Sequence, residues 1–265
     1  MRHTSHHPMA STAQFDQNSQ EQFFHLPLLE TVTPTSLYRQ IRDGLLMPGD
    51  SVLFRQVDRG LVNRIISYGE KKAAPFVLGG EGLSKDAIKF ASWFTHYAII
   101  GDRSHVYENW QGSGCRRRTW VDLAGHDLLF MRPVFPEDMS HDEIRDMLLR
   151  VAHEARLDIC NNVGYPLQEI LYYGKFVTAG FRRYIPFLRN KSLFDLFDDK
   201  DENKGVCAAQ GFRWHQRAGI VPSDPTDPAY QRPITWFPSR FLLESAHPES
   251  LFRSIRFVRV VADNS

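Results

Sequence analysis

Three residue types in this chain of 265 residues could together carry out nucleophilic chemistry: a cysteine, a histidine and a glutamate. Cys207 stands in the run KGVCAAQGFRWH, where a helix is expected to begin directly after a charged loop. A helix N-terminus is the positive end of the helix dipole, which favours a thiolate over a thiol. Cys207 is therefore a candidate nucleophile, and the alternative is an ordinary cysteine buried on the apolar helix face.

A thiolate nucleophile needs a base close to it and a group that orients the base. In the run WFTHYAIIG (93–101), strand alternation places Phe94, His96, Ala98 and Ile100 on one face, so an imidazole interrupts an apolar row. His96 is therefore the candidate base. A core histidine hydrogen-bonded to the backbone would produce the same pattern.

The orienting group depends on how the next segment, HVYENW (105–110), pairs with the strand of His96. A three-residue loop centred on Asp102 would set His96 opposite Glu108. A two-residue turn would instead set His96 opposite Asn109. A carboxylate would stabilise the imidazolium, whereas an amide would orient the ring without charge. The sequence leaves both registers open.

The elements that must position these residues indicate an α+β fold. Strands are expected from Ser51 after the turn Pro48-Gly49-Asp50, in the hairpin, near 127–131, and in the closing run SIRFVRVV. Helices are expected after a cap at Thr35 or Ser36, over 59–72, from the capping box Ser140-His-Asp-Glu143 to about Arg156, and near Cys207. This order predicts a single domain over residues 24–265.

Two segments differ in composition from the rest of the chain. Residues 1–23 are rich in Ser, Gln, Asn and His and are expected to form a mobile tail. Residues 168–200 form an aromatic insert that is expected to be partly helical. The insert suits either an amphipathic lid over an apolar acyl group, with peripheral membrane contact, or a helix pair that packs on the domain.

The composition argues against several functional classes. The 32 Lys and Arg residues nearly balance the 31 Asp and Glu residues, so the chain has no large positive charge that would attract nucleic acid. The N-terminus lacks the apolar core of a secretory signal peptide, and no segment reads as a transmembrane helix, which predicts a cytoplasmic protein or one exported by a specialised route. Three cysteines without a CxxC pair predict neither disulfides nor a cysteine-rich zinc site. Cys115 is interpreted as a surface or half-buried thiol, and Cys160 as a core residue. The run Arg116–Arg118 suits either a solvated strand edge or a site that binds a phosphate or carboxylate group.

The motifs, taken in order, resemble those of a known family. They are PGDSVLFR, FTHYAIIGD, VYENW, LLFMRP, a helix followed by VGYPLQE, GVCAAQGFRW and FPSRFLLES, which cover roughly residues 45–257. The set is similar to the circularly permuted branch of the NlpC/P60 papain-like superfamily, the YiiX/YebB-like proteins, and more distantly to the lecithin retinol acyltransferase-like group.

The resemblance implies a role for each matching residue. Cys207 matches the nucleophile, His96 the base and Glu108 the orienting residue. Tyr165 matches a tyrosine near the site, and Asp50, in the opening turn, is expected to support the site. The implied fold is a permuted papain-like domain, an antiparallel β-barrel or sheet packed against helices. The implied activity is cleavage of an amide in a peptide or lipid-like substrate through a covalent acyl-enzyme, with no metal and no cofactor.

Two further functions stay open on the sequence. The same thiol would suit an acyltransferase or thioesterase that acts on lipid-like substrates. A catalytically silent papain-like domain that binds a partner is the other alternative. It is favoured by the pair Ala208-Ala209 after Cys207, where the family commonly has Ser or Thr.

Overall fold

A mixed sheet of seven strands organises the described part of the molecule. The computed structural model describes residues 27–55, 85–110, 113–164, 207–220, 238, 241–242 and 251–263. The strands are β1 (Leu29–Val32), β2 (Ser51–Arg55), β3 (Phe94–Ile100), β4 (His105–Trp110), β5 (Gly114–Thr119), β6 (Asp127–Pro133) and β7 (Phe252–Val260). The helices are α1 (Pro34–Arg42), α2 (Lys85–Ala91), α3 (His141–Cys160) and α4 (Cys207–Arg217), with a short 3-10 helix at Val121–Leu123.

The strand order across the sheet is β1-β7-β6-β2-β3-β4-β5. β1 and β7 run parallel, and the other pairs of the described sheet run antiparallel. The predicted α+β class and the mostly antiparallel sheet packed with helices are therefore confirmed. The described strands form an open sheet with β1 and β5 at its edges, so the barrel alternative does not describe them.

Each face of the sheet carries its own apolar core. On one face, α3 and α4 pack through Val151, Ala155, Ala208 and Phe212 onto β-strand residues that include Tyr97. On the other face, α1 packs through Leu37 and Ile41 onto a second cluster that includes Phe54, Ala98 and Ile100. The two faces are called here the α3/α4 face and the α1 face.

Local capping explains where two helices begin. The predicted capping box of α3 is confirmed: the Glu143 N–H donates to Ser140 Oγ at 3.3 Å, and the Ser140 N–H donates to the Glu143 carboxylate at 2.9 Å. α1 starts earlier than predicted, because Thr33 is its cap and accepts from the Ser36 N–H at 3.2 Å. Pro34 fits the first helical position, where its missing N–H leaves no bond unmade.

Helix α4, which begins at the candidate nucleophile, is fixed in place by polar and steric contacts. The buried carboxylate of Asp158 on α3 accepts hydrogen bonds from three α4 side chains, Gln210 at 2.5 Å, Trp214 at 2.7 Å and Arg217 at 2.7 Å. Gly211 lies so close to the Tyr97 ring that an added Cβ would stand 1.8 Å from it. The N-terminus of α4 therefore has a defined position relative to β3.

Two cysteines lie where the sequence analysis did not expect them. Cys115 is buried on β5, a strand that the sequence analysis missed, and burial raises the pKa of its thiol to about 12. Cys160 is the last residue of α3 and is exposed, not part of the core. Both interpretations were wrong, because β5 turns Cys115 toward the α3/α4 face and the end of α3 points Cys160 outward.

Several predictions fall outside the described residues. They are the N-terminal tail, the helix at 59–72, Tyr165 and the aromatic insert at 168–200. Within the residues that the structure describes, no helix has the length and apolar character needed to cross a membrane.

Candidate functional site

A β-bulge in β3 decides which side chains accompany His96. Phe54 of β2 pairs with His96, but the next residue, Arg55, pairs with Phe94, so Thr95 is the extra residue. The bulge interrupts strand alternation, and Phe94 therefore belongs to the core of the α3/α4 face. The predicted apolar row is correct for His96 and the residues after it but wrong for Phe94.

The hairpin of β3 and β4 adopts neither of the predicted registers. Ala98, not His96, pairs with Glu108, and the Gly101 N–H donates to the His105 carbonyl at 2.9 Å. The loop between β3 and β4 is therefore centred on Arg103, one residue after Asp102. Glu108 shares a face with His96 as a diagonal neighbour, and a glutamate side chain is long enough to span that separation.

Glu108, and not Asn109, orients His96. The His96 Nε2 and the Glu108 Oε2 lie 2.8 Å apart, and Glu108 is fully buried. Asn109 pairs with Cys115, so strand alternation points it toward the α3/α4 face, away from the imidazole. The structure thus resolves the alternative that the sequence left open.

Two arginines of β5 hold the Glu108 carboxylate. Nε and a terminal nitrogen of Arg116 each lie 2.8 Å from Glu108 Oε1, and Arg118 lies 3.7 Å from Oε2. Burial alone would raise the pKa of Glu108, but the hydrogen bond from His96 and the charges of His96, Arg118 and Arg116 lower it. Glu108 is therefore ionised, and each of its oxygens has a cationic partner.

The sequence analysis missed this role of the arginines. It interpreted the run 116–118 as a solvated strand edge or a site for an external anion, whereas Arg116 and Arg118 bind an internal carboxylate. Alternation along β5, with Arg116 directly opposite Glu108, would have identified them if the strand had been recognised.

Aromatic rings fix the plane of the His96 imidazole. The Phe54 ring meets it edge-on with a centroid separation of 5.1 Å, and the Trp110 ring does so at 4.9 Å. The Arg116 guanidinium lies 4.7 Å from the Trp110 ring centroid, which links this packing to the carboxylate. With Nε2 bonded to Glu108, Nδ1 is the nitrogen left for a second partner.

The second partner of His96 is Cys207, the first residue of α4. Burial disfavours the imidazolium, yet the interaction and hydrogen bond with Cys207, together with Glu108, raise the pKa of His96 to about 9. Cys207 and His96 are both buried, with 7% of each exposed. The Cys207 thiol thus interacts with the imidazole that Glu108 binds, and these three residue types are the set that activates a thiol nucleophile.

Asp50, predicted as a site-supporting residue, lies away from this chain. Its buried carboxylate accepts from the Met47 N–H at 2.8 Å and from two Arg132 nitrogens at 2.7 Å each. It precedes Phe54, the residue paired with His96, by four positions, or roughly 13 Å of strand. Asp50 therefore holds the turn that opens β2 and does not contact the imidazole.

His215, a buried histidine on α4, is separate from the site as well. Its Nδ1 lies 2.9 Å from the Gly211 carbonyl oxygen, and the Phe252 ring packs against it with centroids 5.3 Å apart. Burial lowers its pKa to about 4, so this ring is neutral at pH 7. Within the part of the chain described, no cluster of His, Cys, Asp and Glu suits a metal ion.

Arg116 is expected to act as a positioning residue for the Cys207 site. In Arg116→Gln, Glu108 loses the donors on one oxygen, so we expect the alkylation rate of Cys207 to fall about tenfold. Arg116→Lys keeps the positive charge but lacks the paired N–H donors of the guanidinium group, so it should recover part of the alkylation rate. The measurement is the pseudo-first-order rate of iodoacetamide labelling at Cys207, followed by peptide mass spectrometry.

The matched control is Arg259→Gln, because Arg259 also pairs with a buried carboxylate, Asp127, at 2.7 Å. An equal loss of labelling in both variants would mean that the effect is general destabilisation. A loss confined to Arg116→Gln would confirm the positioning role.

Comparison with known proteins provides no independent assignment. No family model, no curated protein and no solved structure matches this chain. The motif resemblance therefore stays a prediction, and function must be argued from the geometry of Cys207, His96 and Glu108.

Proposed function

We propose that the protein is a cysteine hydrolase that cleaves an amide bond in a peptide or lipid-like substrate. The observation that carries this proposal is the 2.8 Å hydrogen bond between His96 and the buried Glu108, with Cys207 at the start of a helix and close enough to raise the pKa of that imidazole. We further propose that the domain is a permuted papain-like fold of the NlpC/P60 type. Its support is the placement of the cysteine at a helix start and of the histidine and glutamate on adjacent strands.

The first chemical step is attack by the Cys207 thiolate on the carbonyl carbon of the amide. A carbon–sulfur bond forms, and the carbonyl π electrons move to the oxygen. The first N–H groups of α4 have no partner within the helix and serve as donors to this oxyanion. The His96 imidazolium balances the thiolate before the attack.

The second step releases the amine and leaves an acyl-enzyme. The oxyanion collapses, the carbon–nitrogen bond breaks, and His96 gives its proton to the leaving nitrogen. Water then attacks the thioester, His96 takes the proton from water, and the carboxylic acid leaves with the thiolate restored. Glu108 stays ionised throughout and stabilises the imidazolium.

The test of this proposal is to trap the acyl-enzyme. The purified chain is incubated with a panel of N-acyl peptides and fatty acyl amides, while amine release and intact mass are followed. We expect at least one substrate to give a mass increase on Cys207 equal to its acyl group, and none in Cys207→Ala.

Addition of a nucleophilic amine or a lipid alcohol separates hydrolysis from acyl transfer. Capture of the acyl group by the added acceptor in preference to water would assign a transferase. Amine release that is equal in the wild-type protein and in Cys207→Ala would refute the covalent mechanism.

A further inference from the structure

A groove separate from the Cys207 site lies between α3 and the β4–β5 region. Its volume is about 370 Å³, and its lining includes Tyr107, Arg117, Leu149, Ala152, His153 and Arg156. Arg117 lies between Arg116 and Arg118 on β5, so alternation places it on the opposite face from Glu108. The groove also includes Gly101, which is five positions, or roughly 17 Å of strand, from His96.

The groove carries positive charge that nothing described neutralises. Within the described residues, the guanidinium groups of Arg117 and Arg156 make no hydrogen bond or ion pair. Those of Arg116 and Arg217, in contrast, bind carboxylates. Burial and Asp102 raise the pKa of Tyr107 to about 12, while the charges of Arg156 and Arg117 act in the opposite direction. Both guanidinium groups are therefore within electrostatic reach of the same phenol.

The carboxylate that lines the groove is already engaged. Asp102 accepts from the Ser104 N–H at 2.8 Å, from the Tyr107 hydroxyl at 3.1 Å, and bonds the His105 Nδ1 at 2.9 Å. It faces the turn of the hairpin through these bonds and makes no ion pair with Arg117 or Arg156. The two arginines thus remain available to an external anion.

The arrangement of the cations suits a small, highly charged anion. Arg117 comes from a strand, whereas His153 and Arg156 stand three residues apart and share one face of α3. Guanidinium groups donate in a fork that matches phosphate oxygens, and two of them balance a dianion. Leu149, 44% exposed, and Ala152 provide an apolar wall beside the charges for the carbon portion of a ligand.

We propose that this groove binds a phosphate monoester. Arg117 and Arg156 hold the phosphate from two sides, His153 adds a third donor, and Leu149 contacts the ester group. The groove is distinct from the Cys207 site, because none of the residues that line it is Cys207, His96 or Glu108.

The experiment is calorimetric titration of the full chain with inorganic phosphate and with O-phosphoserine. We expect saturable binding in the millimolar range or tighter, and at least about tenfold weaker binding in Arg117→Gln and in Arg156→Gln. Arg150→Gln is the matched control, because Arg150 is an exposed arginine of α3 outside the groove. Its affinity should equal that of the wild-type protein.

Two results would overturn the proposal. One is the absence of saturable binding by the wild-type chain, and the other is an equal loss in Arg150→Gln, which would indicate unspecific attraction. Cosedimentation with phosphatidylcholine vesicles that contain phosphatidic acid identifies the source of the phosphate. Vesicle binding that is lost in the two groove variants indicates a lipid headgroup, and phosphate binding without vesicle binding indicates a soluble ligand.

Discussion

Iodoacetamide is expected to alkylate Cys207 at least about tenfold faster than Cys160 at neutral pH. Cys160 is exposed and lies at the end of α3, so it provides an internal reference for an accessible thiol. Cys207 is only 7% exposed, yet it interacts with an imidazole whose pKa is raised to about 9. Faster labelling of the less accessible thiol can arise only from a larger thiolate fraction or better activation.

The same experiment tests the partners of Cys207. Cys207→Ala should remove the adduct at this position and lower turnover of any amide substrate by about a thousandfold or more. His96→Gln should lower the labelling rate of Cys207 toward that of Cys160, because the thiolate loses its counter-ion. Circular dichroism and thermal unfolding establish that each variant is folded.

Buried Cys115 serves as the negative control. Its pKa of about 12 predicts almost no labelling in the native protein and full labelling after denaturation. If Cys207 reacted no faster than Cys160, or if His96→Gln left its rate unchanged, the thiol would not be activated and the catalytic proposal would fail. The binding-domain alternative would then be the better account.

The positions of Cys207 and His96 could be predicted from the sequence, because one stands at an element boundary and the other breaks a regular pattern. Cys207 begins a helix, and His96 interrupts an apolar strand. Both signals are local, and the elements that carry them follow from propensity and capping. The mixed order of strands and helices likewise predicted the α+β class.

Two features could not be predicted: the pairing register of β3 with its neighbours, and the arginine clamp, which is the pair of ion pairs from Arg116 and Arg118 to Glu108. Both depend on contacts between different segments of the chain. The bulge at Thr95 and the hairpin shift changed which residues pair without changing which segments are strands. β5 was not predicted as a strand with a buried partner, because Arg116, Arg117 and Arg118 give it three consecutive charges, which are typical of a solvated strand edge. Those charges are accommodated only because a buried carboxylate on β4 pairs with two of them.

The clamp implies that Glu108 does more than orient a ring. A neutral amide at this position would satisfy the geometry but would leave Arg116 and Arg118 without their counter-ion. The buried negative charge is thus shared between a structural ion pair and the imidazolium of His96. Stability and activation of the thiol are therefore coupled through one side chain.

Glu108→Gln is expected to shift the pH dependence of amide turnover, a reaction in which His96 must carry a proton for the leaving nitrogen. The carboxylate raises the pKa of His96, so its removal lets the imidazolium lose its proton at lower pH. The turnover rate is expected to fall near pH 9 in the wild-type protein, where His96 can no longer protonate the leaving nitrogen, and this falling limb should move down by about one pH unit or more. Amide turnover should fall about a hundredfold or more, because the imidazolium loses its stabilising charge.

The same substitution should lower the free energy of unfolding, by about 3 kcal/mol, since it leaves buried cations unpaired. The pKa of His96 is higher in the folded protein, about 9, than in the unfolded chain, 6.5. The stabilisation that results is complete below pH 6.5 and is lost as the pH rises through about 9. Glu108 stabilises the imidazolium of His96, and its contribution to the free energy of unfolding is therefore largest near pH 6 and should decline toward pH 9. Urea unfolding of the two proteins across this range measures the difference.

Asp50→Asn is the matched control for Glu108→Gln. Asp50 is equally buried and is held by one arginine, Arg132, through two bonds of 2.7 Å. Its substitution should also destabilise the fold, but it should leave the pH profile of amide turnover unchanged, because Asp50 does not contact His96. If both variants moved the falling limb equally, the shift would reflect loosening of the sheet. If neither moved it, Glu108 would not control the protonation of His96, and the proposed division of roles in the site would be wrong.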